Sequence, residues 1–420
     1  MIEKVFSRLS IAGLCATFVG NGLGRFAFIA LMPALIQAGW FSKADASYLG
    51  VATLVGYVGG ASLSNWLAIR FASAWLLRVS MLVCSLSFLA CSIDGAGLPW
   101  YYLWRTAAGV SGAVLMVLPA PVVLPRHDPS IRARASGVVF SGIGLGAAAS
   151  GFLVPVLIAG GVALPFLHLQ GVQGAWLGLG AVCLALTAVA WRAWPVEPPS
   201  ASGASASSAL PAEIWPTVAL ILVAHGLNAV GYLAHTMYLP DYVVREMGMP
   251  LAMGGFFWSM FGLGAAAGPM LTGSLADRFG LRRCLVVGFL VKAFSAILPV
   301  VNSSPAALLV SAVLMGICTP GIVALVSAFA LECVGPLHHR KAWSLATSSF
   351  AVAQAGGGAL MAYAATHLHS YKALFGASSI ALLGSMICIG LIREGACSKV
   401  PDNTPAGGDL LPATTTTSNP

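Results

Sequence analysis

The chain has 420 residues, of which 58% are hydrophobic and only 8% charged, against roughly 25% charged in soluble domains. A water-soluble fold cannot bury that much apolar surface with so few charges to cover its outside, so lipid is the solvent. The formal net charge of +8 comes from basic residues scattered through short loops, which reads as membrane topology and not as a nucleic-acid patch.

Met1–Ser10 is mildly basic and runs into an apolar stretch longer than a signal peptide's apolar core, so it is read as leading into a retained first helix. A membrane helix needs about 20 apolar residues. Runs of that length predict spans at Ile11–Gln37, Ala46–Ala68, Leu76–Ile93, Tyr101–Leu124, Ala135–Gly160 and Val172–Trp194. After the Pro/Ser/Ala stretch Pro195–Ala212, which can bury nothing, six more follow: Ile214–Leu239, Leu251–Ala276, Leu285–Val301, Ala306–Leu331, Trp343–Thr366 and Ala373–Ile392. The tail after Arg393 is polar and Thr-rich. The expected architecture is an all-α integral membrane protein of twelve transmembrane helices. Residues 1–194 form one six-helix bundle, 195–212 a cytoplasmic linker, 213–393 a second six-helix bundle, and 394–420 a disordered cytoplasmic tail.

With the N-terminus inside, fifteen of the 21 Lys and Arg fall on inside segments, among them Arg70, Arg132, Arg192 and Arg283. Lys43, Arg245 and Lys372 fall outside, while Arg25, Arg105 and Lys292 lie within apolar runs. That bias places both termini and the linker in the cytoplasm. The nine cysteines form no C-x-x-C pair and read as small packing residues, with neither a disulfide framework nor a metal site.

The halves repeat. Asn21, Gly24, Met32 and Pro33 match Asn228, Gly231, Leu239 and Pro240, and Gly109 matches Gly316 at the same spacing. Leu67, Ala68, Arg70 and Phe71 answer Leu275, Ala276, Arg278 and Phe279 one residue further on. Two related six-helix halves place a substrate site between them near mid-membrane.

The stretch Gly273-Ser274-Leu275-Ala276-Asp277-Arg278-Phe279-Gly280-Leu281-Arg282-Arg283 resembles the G-x-L-A-D-R-x-G-x-R-R loop of the major facilitator superfamily. Its N-terminal copy departs from the pattern, with Asn65 and Ile69 in place of the glycine and aspartate. Arg105 to Gly112 is similar to the family's R-x-x-x-G-x-x-G stretch, and Gly142, Gly144, Gly146, Gly151 and Pro155 to its Gly/Pro-rich fifth helix. Gly22 to Phe28 with Leu31-Met32-Pro33 resembles the YbfB/YjiJ-type branch. The resemblance implies a secondary transporter, with Asp277 and Arg278 in gating and Arg105 in proton coupling.

An ionised side chain at mid-membrane costs at least about 2.5–3.5 kcal/mol, so each one needs a reason. Arg25 shares a helical face with Asn21 and Phe28 or Ile29, and reads either as an anion contact or as a structural arginine with a backbone or interhelical partner. Arg105 is either the coupling residue implied by resemblance or a shallow arginine snorkelling outward. His225, Asn228, Tyr232 and His235 follow steps of three, four and three, a polar stripe expected to face the cavity. Gln354, beside Gly356-Gly357-Gly358, is a further cavity candidate. Lys292 reads as a lysine tucked against a neighbour or reaching an interface, and Tyr57 and Trp258 read as packing.

All thirteen acids fall in expected loops or near helix ends, so the intramembrane charges are positive and suit an organic anion. A carboxylate substrate can carry its own proton. No nucleophile–base set, metal set or phosphate-cradling loop stands within the spans, which argues against an enzyme or a direct use of ATP. The expected partners are the bilayer and a small, anionic substrate, with no nucleic acid and no cofactor, the protein acting as a monomer. The rival expectation is export of neutral or lipophilic compounds such as sugars or drugs.

Overall fold

The computed structural model describes residues 5–128, 131–160, 163–164, 167–168, 171–195 and 210–392. The expected linker lies largely, and the expected tail wholly, outside them. The helices are α1 Arg8–Gln37, α2 Lys43–Arg70, α3 Ser73–Ala90, α4 Leu98–Arg126, α5 Arg132–Ile158 and α6 Gly171–Trp191. The second set is α7 Ala212–Glu246, α8 Leu251–Phe279, α9 Leu281–Val301, α10 Pro305–Gly335, α11 residues 336–367 and α12 Lys372–Leu391. Eleven of these are long and apolar enough to cross a bilayer by length and composition, and α11 completes two sets of six. A two-residue antiparallel ladder pairs Ala163 with His168 and Leu164 with Leu167 between α5 and α6, a minor departure from an all-helical chain.

Lipid cannot hydrogen-bond a bare backbone, so each apolar run closes its own bonds as helix. The breaks have local causes. Ser42 starts α2 by accepting from Asp45 N at 3.1 Å, and Ser304 starts α10 by accepting from Ala307 N at 3.3 Å. Gly335, at φ 72°, ends α10 where the chain turns back into α11. The described cysteines Cys15, Cys84, Cys91, Cys183, Cys284, Cys318 and Cys388 carry free thiols, while Cys333 is disulfide-bonded, the exception to the packing reading.

The internal repeat is visible in how helices touch. A Cβ on Gly56, Gly60 or Gly109 would run into the backbone of Thr106, Val110 or Thr53, so α2 and α4 meet spine to spine. In the second half Gly264, Gly268 and Gly316 bring α8 and α10 together against Val313, Ile317 and Phe261 in the same way. The halves join along α5 and α8, where Gly144 meets Gly262 and Ala266, and Gly151 meets Gly255. Trp258 Nε1 donates to Ser150 Oγ at 3.1 Å across that seam, and Ser259 Oγ donates to the Ala148 carbonyl at 2.9 Å.

The end of the bundle that carries Lys43, Arg245 and Lys372 is closed. Phe26–Leu35 of α1 and Gly231–Val244 of α7 are buried throughout. Lys43 of α2 reaches across the halves, with Nζ 4.3 Å from the centre of the Tyr371 ring and 3.5 Å from the Leu368 carbonyl. Behind it Arg245 holds Asp241 through two bonds of 2.6 and 2.7 Å, and the Tyr371 hydroxyl donates to the same carboxylate. Burial, then the neighbouring Asp241 carboxylate, pushes the Tyr371 phenol far above its usual range, which keeps it protonated as a donor. Asp241 and Arg245 were expected beyond the helix end. Instead α7 runs past Pro240 into a π-helical turn, Tyr242–Glu246. The pair neutralises itself inside the fold, so the helix need not end for Asp241 to reach water.

Candidate functional site

Both helices that lead each half are broken near mid-membrane. In α1 the helix Arg8–Thr17 passes into a π-helical turn, Phe18–Leu23, and resumes at Ala27. In α7 it stops at Gly231 and resumes at Leu233, with Tyr232 at φ −103°, ψ −4°. Backbone irregularity at that depth is tolerated only where protein or a cavity receives it. Here both breaks face the junction of the halves.

Arg25 projects from the α1 break. Its Nη2 donates to the Tyr232 hydroxyl. The Gln354 amide, oriented to pair donors with acceptors, places its oxygen 3.2 Å from Arg25 Nη1 and 2.9 Å from the Tyr232 hydroxyl. One arginine of the first half is thus held by α7 and α11 of the second. Its guanidinium carbon also lies 5.6 Å from the Tyr57 ring centre and 5.8 Å from that of Tyr232. Tyr57 is therefore part of the arginine's surround and more than packing.

A second cation joins from α9. Lys292 is fully buried, donates from Nζ to Asn228 Oδ1 at 2.8 Å, and sits 5.2 Å from the Tyr232 ring centre. Lys292, Asn228, Tyr232, Arg25 and Gln354 form one connected polar cluster, and it contains no carboxylate.

Arg105 is 2% exposed, so the snorkelling alternative is overturned. It crosses from α4 to α1, where Nη1 donates to the Gly24 carbonyl at 3.2 Å and the guanidinium lies 4.6 Å from the Phe28 ring centre. Arg25 and Arg105 both line a cavity of about 30 Å³, together with Phe28, Met32, Thr53 and Met237. That is space for about two waters.

The remaining candidates separate. Asn21 does not share a face with Arg25, because the π-helical turn rotates it toward α4, where Nδ2 donates to the Gly112 carbonyl at 3.0 Å. The stripe on α7 is divided by the break at Tyr232. Asn228 and Tyr232 reach the central cluster. His235 turns into its own half, with Nε2 2.7 Å from Ser311 Oγ and its ring edge-on to Phe375. His225 is buried against Trp343 and Phe350, with ring centres 5.7 and 4.8 Å away. Asp277 and Arg278 are exposed on the last turn of α8.

The family described as uncharacterised MFS-type transporter YbfB matches residues 17–392. The chain belongs to this family of major facilitator transporters. It is a multi-pass membrane transporter of small substrates and not an enzyme. No curated protein matches it by sequence. Among solved structures, it resembles a mutant of the nucleoside transporter NupG with a TM-score of 0.72 at 11% identity, over 91% of this chain and 100% of that one. The inward-open xylose transporter XylE from E. coli gives 0.71 at 12% identity, over 93% and 96%. A bacterial homolog of the human lysosomal transporter Spinster, inward-facing and occupied, gives 0.66 at 17%, over 92% and 94%. At these identities the likeness is one of fold. For a transporter of this fold, the junction of the two halves is where a substrate meets both moving parts.

Proposed function

We propose that this transporter moves a small organic anion across the bacterial plasma membrane by alternating access, with a proton coupled to the movement. The observation that carries this reading is the sign of the buried charge. Arg25, Arg105 and Lys292 converge between the halves, and among the described residues no carboxylate joins them. Uncompensated cations at that depth are costly, and an anion is the ligand that relieves them. A carboxylate entering protonated supplies the coupled proton without a protein acid.

In the proposed cycle the two six-helix halves, residues 1–194 and 213–393, rock about the central cluster, with residues 195–212 and both termini on the cytoplasmic side. Arg25 draws the anion and exchanges it against Tyr232 and Gln354, so loading the site alters the contact that holds the halves together. The protein works as a monomer, and Asp277 and Arg278 act at the cytoplasmic gate.

The test is a thermal-shift and uptake series with carboxylates, sugars and lipophilic cations on wild type and Arg25→Gln. Losing a charge-assisted contact of about 1.5–3 kcal/mol predicts at least about tenfold less carboxylate uptake in the variant. Sugars or cations that stabilise both proteins equally would replace this reading with that of an exporter of neutral or lipophilic compounds.

A further inference from the structure

Two of the three cations within the spans already have hydrogen-bond acceptors that occupy them. Lys292 donates to Asn228, and both terminal nitrogens of Arg25 are taken by Tyr232 and Gln354. Arg105 differs. Only its Nη1 is used, on the Gly24 carbonyl, while Nε and Nη2 are buried with no protein partner. Nε and Nη2 form one edge of the guanidinium, and that edge is a complete fork for a carboxylate. The same cavity holds a second unpartnered group, the Oγ1 hydroxyl of Thr53, which is 2% exposed. Two buried polar groups without partners, on residues that line one cavity, are expensive unless a ligand entering it engages them.

We propose that Arg105, with Thr53, is the carboxylate-binding pair of this transporter in its outside-closed state, and that the ligand is a monocarboxylate of about formate to acetate size. One free fork takes one carboxylate. Arg25, Ser47 and Thr236 also line the cavity, but their donors are engaged, Arg25 by Tyr232 and Gln354, Ser47 by the Lys43 carbonyl and Thr236 by the Tyr232 carbonyl. The remaining lining is apolar, with Phe28, Ile29, Met32, Leu54 and Met237, which suits an aliphatic body and leaves no unpaired donor for a second charge or a ring of hydroxyls. The small volume sets the short chain. This inference rests on the anion-transport reading and assigns the grip to Arg105, leaving Arg25 to bridge the halves.

The experiment measures the melting temperature of purified full-length protein against sodium acetate, sodium chloride and choline chloride at matched ionic strength. Wild type should be stabilised by acetate alone, with a shift that grows with concentration. Arg105→Lys keeps the charge but removes the fork, and should weaken acetate at least about tenfold while melting like wild type without ligand. Thr53→Val should weaken it about threefold and carries the test if Arg105→Lys does not fold. Full acetate affinity in either folded variant overturns the assignment. If at the same time Arg25→Gln abolishes the stabilisation, anion transport through Arg25 still stands. A chloride shift equal to that of acetate overturns the carboxylate class, and no shift with any anion overturns both readings.

Discussion

Arg25 and Tyr232 stand 207 residues apart and bond directly to each other. That separation is also the offset relating Pro33 to Pro240 and Gly109 to Gly316, so the two residues occupy equivalent positions in the repeat. Equivalent positions touch only at the axis that relates the halves. The contact therefore marks the centre of the molecule, where the substrate of such a fold is expected to sit.

Tyr232→Phe removes the hydroxyl that Arg25 and Gln354 share and leaves the ring in place. A lost hydrogen bond to a charged group predicts about 1.5–3 kcal/mol of lost stability in the ligand-free protein. Gln354→Leu in the same background should add less than it does alone, because both changes open one network. Simple additivity of the two in thermal unfolding would show that the cluster does not act as a unit.

The closure at the Lys43 end of the bundle turns on that lysine. Lys43→Ala deletes the ammonium over Tyr371 and the bond to the Leu368 carbonyl. An exposed cation–π contact of about 0.5–1 kcal/mol predicts that a cysteine placed at Ser47 becomes about two- to fivefold more reactive toward an impermeant maleimide added outside. Unchanged labelling would mean that the buried outer halves of α1 and α7 hold the closure without it.

Lys292 and Asn228 should be strongly coupled. Asn228→Leu strands a buried ammonium, whereas pairing it with Lys292→Met removes both partners. The cycle predicts a coupling of at least about 1.5 kcal/mol, with the double variant more stable than Asn228→Leu alone. A double variant no better than the single would argue that Lys292 draws its support from the Tyr232 ring.

The α5–α8 seam tolerates no side chain at Gly262, where a Cβ would meet the backbone of Gly144 and Ala148. Gly262→Val should cost about 1–3 kcal/mol or more through forced separation of the halves. Gly376 in α12 has open space where its Cβ would be, so Gly376→Ala should be neutral or gain up to about 1 kcal/mol from helix propensity. Equal melting temperatures for the two variants would contradict the packing described.

The residues that announce themselves in the chain are those whose cost is local. A charge inside an apolar run is expensive wherever the run packs, which is why Arg25, Arg105 and Lys292 stood out before their surroundings were known. The spans, the repeat and the family motif at Gly273–Arg283 were likewise readable, since helix length in lipid and the spacing of a duplication are properties of the one-dimensional sequence.

Which residues face one another was not readable in this way. Helical spacing put Asn21 beside Arg25 and His235 beside Tyr232, but the π-helical turn in α1 and the break in α7 shift the faces by part of a turn. Asn21 then serves Gly112, and His235 serves Ser311. Lys292 and Tyr57 gained their place in the cluster only from the packing of α9 and α2 around it. The sequence by itself determined a membrane fold of two repeated halves carrying buried positive charge. Only the tertiary structure decided which of those charges is already satisfied and which is left open, because partners far apart along the chain are supplied by helix packing.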